Sequence, residues 1–169
     1  MHPYAEACRR LAQARVPYVI VGAFGVNLYS ERVGTVITTS DCDILLPADA
    51  TVLSRALRAL ASLGYVFEAG REPFLYDLEL LQGVIRARAN IVARKEDIQL
   101  DLVIGIAGCR FEALWKRRRK FKVDGVLVRV APLEDILRSK ALAGRPKDRL
   151  FLETYRDALE QLLEKDRGT

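Results

Sequence analysis

The sequence predicts an α/β (α+β) fold, a mixed β-sheet flanked by helices with a helical C-terminus. Three observations carry this expectation. Apolar runs of strand length alternate with helical periodicity early in the chain. Strand pairs with hairpin turns follow, and the chain closes on helical stripes. The 169 residues fit one domain, 1–169, with the last helices, about 132–166, packing on it as a C-terminal extension.

The elements follow in order. Tyr4 to Ala14 reads as a short helix ended by Arg15-Val16-Pro17, since the residue before a proline avoids helical backbone. Tyr18-Val19-Ile20-Val21 has the length and apolar character of a buried strand. Gly22-Ala23 breaks it, Ala23 to Tyr29 is helical, and a loop containing Gly34 runs from Ser30 to Ser40. Asp41 to Leu46 is a second strand closed by Pro47. Asp49 is placed to cap the next helix, in which Leu53, Ala56, Leu57 and Leu60 form one apolar stripe,. Gly64 suits the end of that helix, and Tyr65 to Phe67 makes a short strand. Ile85 to Arg94 and Ile98 to Ile106 read as two strands joined at Lys95-Glu96-Asp97. Phe111 to Arg118 is a helix, and Phe121 to Val130 a hairpin turning at Asp124-Gly125, a strong signal for a two-residue turn. Leu133 to Ala143 and Pro146 to Lys165 are the closing helices.

Composition narrows the function classes. Lys plus Arg exceeds Asp plus Glu by 27 to 22, a net charge of +5, which favours anionic partners such as nucleotides or RNA. Cys8, Cys42 and Cys109 are widely spaced with no CxxC pair, which argues against a zinc site and for a reducing, cytoplasmic setting. Glu6, Arg9 and Arg10 interrupt any leader-like apolar stretch,. The longest uncharged run, Val16 to Ser30, is too short and too rich in Gly, Asn and Ser for a bilayer span, so no membrane is expected,.

The chemistry concentrates in three acids. Side chains on a strand alternate between faces, so Asp41 and Asp43 point the same way and Cys42, Ile44 and Leu46 the other. On the later strand Asp101 lies on the face opposite Leu100 and Leu102. Neighbouring carboxylates repel when ionised, and a divalent cation relieves that repulsion. If the two strands pair, Asp41, Asp43 and Asp101 converge. Hard oxygen donors of this kind suit magnesium, which completes its shell with water and substrate phosphates. For an isolated Asp-x-Asp the plainer reading is solvated carboxylates on an open sheet face. The strand-to-helix turn at Val21-Gly22-Ala23 shifts the balance, because backbone N–H groups at a helix start bind phosphate.

In this order and spacing, Val21-Gly22-Ala23, Asp41-Cys42-Asp43-Ile44 and Leu100-Asp101-Leu102 resemble the DNA polymerase β-like nucleotidyltransferase superfamily. Gly22 to Leu28, and Pro132 to Leu137 with Lys140, Gly144-Arg145 and Lys147-Asp148, are similar to small bacterial members, some of them partners in toxin–antitoxin pairs. The resemblance implies a nucleotidyltransferase fold and transfer of a nucleoside monophosphate from an NTP to an acceptor hydroxyl or phosphate on RNA, protein or a small molecule, with release of pyrophosphate. It implies Mg2+ or Mn2+ on Asp41, Asp43 and Asp101, with Asp101 also helping to deprotonate the acceptor. Gly22 and Ala23 would cradle the triphosphate. It also raises an antitoxin as a possible partner. Ala23 stands where the family often has serine, and Arg32 and Thr39 are displaced from the usual Arg-x-Thr register. The competing class is a binding protein that keeps the fold without turnover.

Other residues have two readings each. Lys140 shares a helical stripe with Leu133, Ile136 and Leu137 and so faces inward,. It either pairs with a nucleotide phosphate, as the resemblance implies, or serves a structural acid. Arg145, Lys147 and Asp148 read as a helix start with a local ion pair, with phosphate contact the lesser alternative. The basic run Lys116 to Lys122 is a solvated face or an RNA contact. His2, the only histidine, sits at a terminus expected to be mobile.

Overall fold

In the computed structural model, residues 2–30, 37, 39, 41–70, 72–74 and 77–168 are described. Helix α1 (Pro3–Gln13) starts on proline, whose fixed φ and missing N–H suit a first helical turn. It buries Ala5, Ala7, Cys8 and Leu11, and the chain leaves it through Arg15 at φ +55°. His2 is not a loose end. Its ring packs against Tyr4 and Phe24, at 5.2 and 5.8 Å between centroids, and its N–H donates to Asp124 at 2.5 Å. An aromatic neighbourhood with a cap-side hydrogen bond outweighs the freedom expected of a chain end.

Strand β1 (Val19–Val21) is buried throughout and runs directly into α2 (Gly22–Ser30). The expected loop from Ser30 to Ser40, with Arg32 and Gly34, lies outside the described residues apart from Ser30, Ile37 and Thr39. Strand β2 (Asp41–Leu45) follows. In α3 (Ala50–Ala61) the Asp49 carboxylate accepts the Val52 N–H at 2.8 Å, and the predicted stripe of Leu53, Ala56, Leu57 and Leu60 is buried. That helix is capped at Ser62, and Gly64, at φ +90°, turns the chain toward β3 (Val66–Ala69) and the short β4 (Glu72–Pro73).

The strand expected from Ile85 to Arg94 is corrected. Helix α4 (Leu78–Ala87) takes its first residues, and β5 (Ile91–Lys95) begins only after Arg88 closes the helix at φ +49°. The physical reason is upstream. Asp77 caps α4 by accepting the Leu80 N–H at 2.8 Å, and Leu81 and Val84 supply its buried stripe. Ile85-Arg86-Ala87-Arg88-Ala89 alternates like a strand, yet Ile85 also continues a helical stripe from Leu81.

Strand β6 (Ile98–Val103), helix α5 (Phe111–Arg117) and the hairpin β7 (Arg119–Val123) and β8 (Val126–Val130) come next. The hairpin turns where predicted, with Asp124 at φ +46° and Gly125 at φ +81°. Helix α6 (Leu133–Ala143) ends at Gly144 in left-handed conformation. The single helix expected from Pro146 to Lys165 is two helices, α7 (Pro146–Thr154) and α8 (Arg156–Arg167). Tyr155, at φ −104° and ψ 14°, steps out of helical geometry between them, and its ring packs on Phe151.

All eight strands of the described residues form one mixed sheet in the order β4-β3-β5-β6-β2-β1-β8-β7. β2 pairs parallel with β6 and antiparallel with β1, which pairs parallel with β8. Cys42, Ile44, Leu100 and Leu102 are fully buried on one face. Helix α1 brings Cys8 to this face, where Cys8 helps push the Cys42 thiol up, after burial itself. Helix α3 packs between α1 and α4. The acids emerge on the other face, beside α2 and α6. Tyr29 of α2 donates its hydroxyl to Ala131 O at 2.9 Å and stacks edge-on against Phe121.

Candidate active site

The site starts at the end of β1. Val21 pairs with Asp43 across the antiparallel ladder, and the next residue, Gly22, takes φ +68° as the chain turns into α2. A Cβ at Gly22 would lie 1.9 Å from Asp43 Oδ2. The glycine is therefore required twice, for its backbone conformation and for the carboxylate lying against it. Gly22 and Ala23 line the cleft. They belong to the first turn of α2, where N–H groups have no partner within the helix and the dipole favours an anion.

Across the parallel pairing, Asp41 stands opposite Gln99 and Asp43 opposite Asp101. All three predicted acids line one cleft of about 490 Å³. They do not gather at a single point. Among the described residues no three His, Cys, Asp or Glu side chains are grouped closely enough to hold one ion together. Asp43 and Asp101 form the close pair, because register places them side by side. Gln99 holds the Asp101 carboxylate by donating from Nε2 to Oδ1 at 2.8 Å. Gln99 is in turn held by Arg94 at 2.6 Å, and Arg94 by Glu68 at 3.3 Å.

Asp43 accepts no hydrogen bond and makes no ion pair among the described residues. Burial pushes its carboxyl up to about 6, and Asp101 adds to the push. Lys140 and Lys147 oppose it, and Asp41 contributes a smaller push upward. A partly buried acid that lacks a partner and faces a second carboxylate is chemically suited to a cation with hard oxygen preference,. The donor set thus fits a divalent metal on Asp43 and Asp101, with Asp41 two residues along the same face.

Lys140 reaches the cleft from α6, as its helical stripe predicts. Its Nζ pairs with Asp148 Oδ1 at 3.2 Å and lies 4.6 Å from the Phe151 ring centroid. Asp148 is 1% exposed and also pairs with Arg145 at 2.6 Å. Burial pushes the Asp148 carboxyl up, but hydrogen bonds from Arg145 and Lys140 outweigh it and hold the group below the ordinary range. The helix-start ion pair read from the sequence is therefore part of the cleft wall, with Lys147 beside it. Sequence reasoning missed Gln99 and Asn90, Ser139 and Phe151, which also line or support the cleft. Only Gln99 carried a signal, being two residues from Asp101 on the same strand face. Thr39 lines the cleft as well, and its hydroxyl lies 3.2 Å from Asp41 O.

The basic run from Lys116 to Lys122 divides its charges. Arg117 pairs with Glu134 and with Asp135, which is buried, and Arg118 stacks 3.8 Å over Trp115. Arg119, Lys120 and Lys122 remain exposed on β7.

By sequence the chain matches no family model and no curated protein. Solved structures share its fold, among them two of one protein. One is the crystal structure of ANT(2")-Ia in complex with adenylyl-2"-tobramycin, with TM-score 0.56 and 16% identity over 98% of this chain and 95% of that one. The other is the solution structure of the antibiotic-resistance factor ANT(2'')-Ia, with TM-score 0.52 and 16% identity over 98% and 91%. At this identity the likeness is one of architecture. The mixed sheet with its flanking helices is the fold of these nucleotidyltransferases.

Proposed function

We propose that this chain is a nucleotidyltransferase acting as one domain, 1–169, with the helices of about 132–166 as its C-terminal extension. It moves a nucleoside monophosphate from an NTP to an acceptor hydroxyl or phosphate. The acceptor oxygen bonds to the α-phosphorus, the bond from that phosphorus to the bridging oxygen breaks, and pyrophosphate leaves. The observation that carries the reading is the pairing of Asp43 with Asp101 on adjacent parallel strands, with Asp43 seated against Gly22 at the start of α2. The fold shared with nucleotidyltransferases supports it.

Asp43 and Asp101 would hold Mg2+ or Mn2+, with Asp41 drawn in from two residues along the same face, and the ion would supply charge neutralisation at the transferred phosphate. Asp101, oriented by Gln99, takes the acceptor proton. Gly22 and Ala23 receive the triphosphate at the α2 N-terminus. Lys140, held by Asp148 at the cleft wall, presents positive charge to the departing pyrophosphate, with Arg145 and Lys147 beside it. The adenylylated antibiotic bound by ANT(2")-Ia makes a small hydroxylated molecule a natural first acceptor to try, with RNA and protein the other two classes.

A second reading has one specific observation in its favour. Ala23 gives the phosphate an N–H but no hydroxyl, which fits a protein that binds nucleotide, and a partner such as an antitoxin, without turnover. One experiment separates the two. The protein is incubated with labelled NTPs, magnesium or manganese, and a panel of aminoglycosides, total RNA and protein extract. Transfer by the wild type and none by Asp43→Asn supports the enzyme. Metal-dependent NTP binding without transfer to any acceptor supports the binding protein.

A further inference from the structure

The sheet face away from the cleft carries a second concavity. A groove of about 530 Å³ bounded by α1, α3 and the start of α4 is lined by Arg10, Thr51, Ser54, Arg55, Arg58 and Leu78. Three guanidinium groups thus border one groove. None of them has a carboxylate partner among the described residues. Other exposed arginines, Arg119 and Arg149 among them, are also without an ion pair among the described residues, so the groove is distinguished by the convergence of three guanidinium groups on one concavity. Of the two acids flanking Leu78, Asp77 has its carboxylate engaged by the Leu80 N–H in capping α4, while Glu79 is exposed in the first turn of the helix.

The groove is partly pre-organised. Arg10 Nε donates to Ser62 Oγ at 2.8 Å, and Ser62 Oγ donates to Ala59 O at 2.7 Å. This fixes the Arg10 fork while leaving its terminal nitrogens available. Arg55 and Arg58 stand three residues apart on α3, which sets their Cβ atoms about 5–6 Å from each other on one helix face.

We propose that this groove binds the phosphate backbone of a single-stranded nucleic acid. Guanidinium forks match phosphate oxygens in a planar, two-pronged geometry. The arginines come from two helices along a groove, an arrangement suited to successive phosphates. Thr51 and Ser54 hydroxyls add the neutral donors common at phosphate contacts. Leu78, 58% exposed at the groove edge, offers an apolar surface to a sugar or base. The inference does not rest on the catalytic reading, since the groove and the carboxylate cleft occupy different faces of the sheet.

The test titrates a labelled single-stranded RNA oligonucleotide by fluorescence anisotropy in EDTA, where the metal-free carboxylates repel it from the cleft. Affinity is measured across a salt series for wild type, R55Q/R58Q and R55K/R58K. Loss of two phosphate contacts should weaken binding about tenfold or more and reduce the salt slope by about 1.4. R55K/R58K keeps the charges and should restore the slope, which separates a phosphate contact from damage to the fold. Tripolyphosphate should displace the RNA. Three results would overturn the proposal: no binding by wild type, equal affinity and slope in wild type and R55Q/R58Q, or displacement by poly-glutamate but not by tripolyphosphate.

Discussion

Asp43 and Asp148 line the same cleft, and their pKa values move in opposite directions. Asp43 titrates near 6 in the folded protein against 3.8 ordinarily, so the folded state holds its proton more tightly than the unfolded chain. Its ionised form therefore costs stability at neutral pH, and that cost vanishes as pH falls through 6 toward 4. Without metal, Asp43→Asn should raise stability at pH 7 by about 3 kcal/mol. The gain should disappear near pH 4, and added magnesium should narrow it. Urea titrations at several pH values check this, and a gain independent of pH would count against it. Asp148, held below its ordinary value by Arg145 and Lys140, contributes stability that is present above about pH 4 and lost as pH falls through its folded value. Asp148→Asn should cost about 2 kcal/mol, because it strips a buried hydrogen-bonded acceptor from two cations. A companion Lys140→Met should make the double substitution less costly than the two separate losses combined. Strand alternation made Asp41, Asp43 and Asp101 legible in the sequence. Asp148 was legible only as a local partner of Arg145, since its contact with Lys140 and the cleft needs the turn at Gly144 to fold one helix back on another.

At the scale of elements, the turn from β1 into α2 is the least replaceable. Gly22→Ala places a methyl group where the Asp43 carboxylate lies and forces a side chain into positive φ. The backbone penalty alone is about 1–2 kcal/mol. Transfer activity and melting temperature should both fall, and a variant that melts as wild type does would overturn this reading of the turn. Helix α4 shows why other elements stayed hidden. Its Ile85 to Ala89 segment satisfies a strand period, and only the Asp77 cap and the burial of Leu81 decide for helix. Leu81 is fully buried, so Leu81→Ala should cost about 2–5 kcal/mol in denaturant titrations. The hairpin at Asp124-Gly125 was legible because both turn residues need positive φ, a demand that composition states directly. The break at Tyr155 was not, because no glycine or proline marks it.

For the whole molecule, the sheet has two edges and each is blunted. Pro73 lies on β4, and Arg119, Lys120 and Lys122 are exposed along β7. Charge and proline on edge strands discourage pairing between molecules. Replacing Lys120 and Lys122 by valine should produce concentration-dependent association in light scattering, and a monodisperse double variant would refute that role. The sheet order itself was beyond the sequence, since hydrophobic patterning identifies strands but not which neighbour each one chooses. The parallel pairing of β2 with β6 has a consequence for how such a chain can diverge. Asp101 follows the two-residue turn at Glu96-Asp97 by a fixed count of residues, with Lys95 opposite Ile98. Losing or gaining one codon between Ile98 and Asp101 would send the acid to the helix-covered face. Gaining two would keep the face but move it about 7 Å along the strand. Substitutions around Asp101 are free to accumulate so long as apolar positions stay apolar and Gln99 keeps its hold on the carboxylate, whereas length changes there are forbidden. Even after β6, between Gly105 and Arg110, the chain is held by the Ile106–Cys109 bridge and by its place in the cleft wall. Lineages descended from this architecture can drift almost entirely in letters while the interval that delivers one carboxylate to another stays frozen.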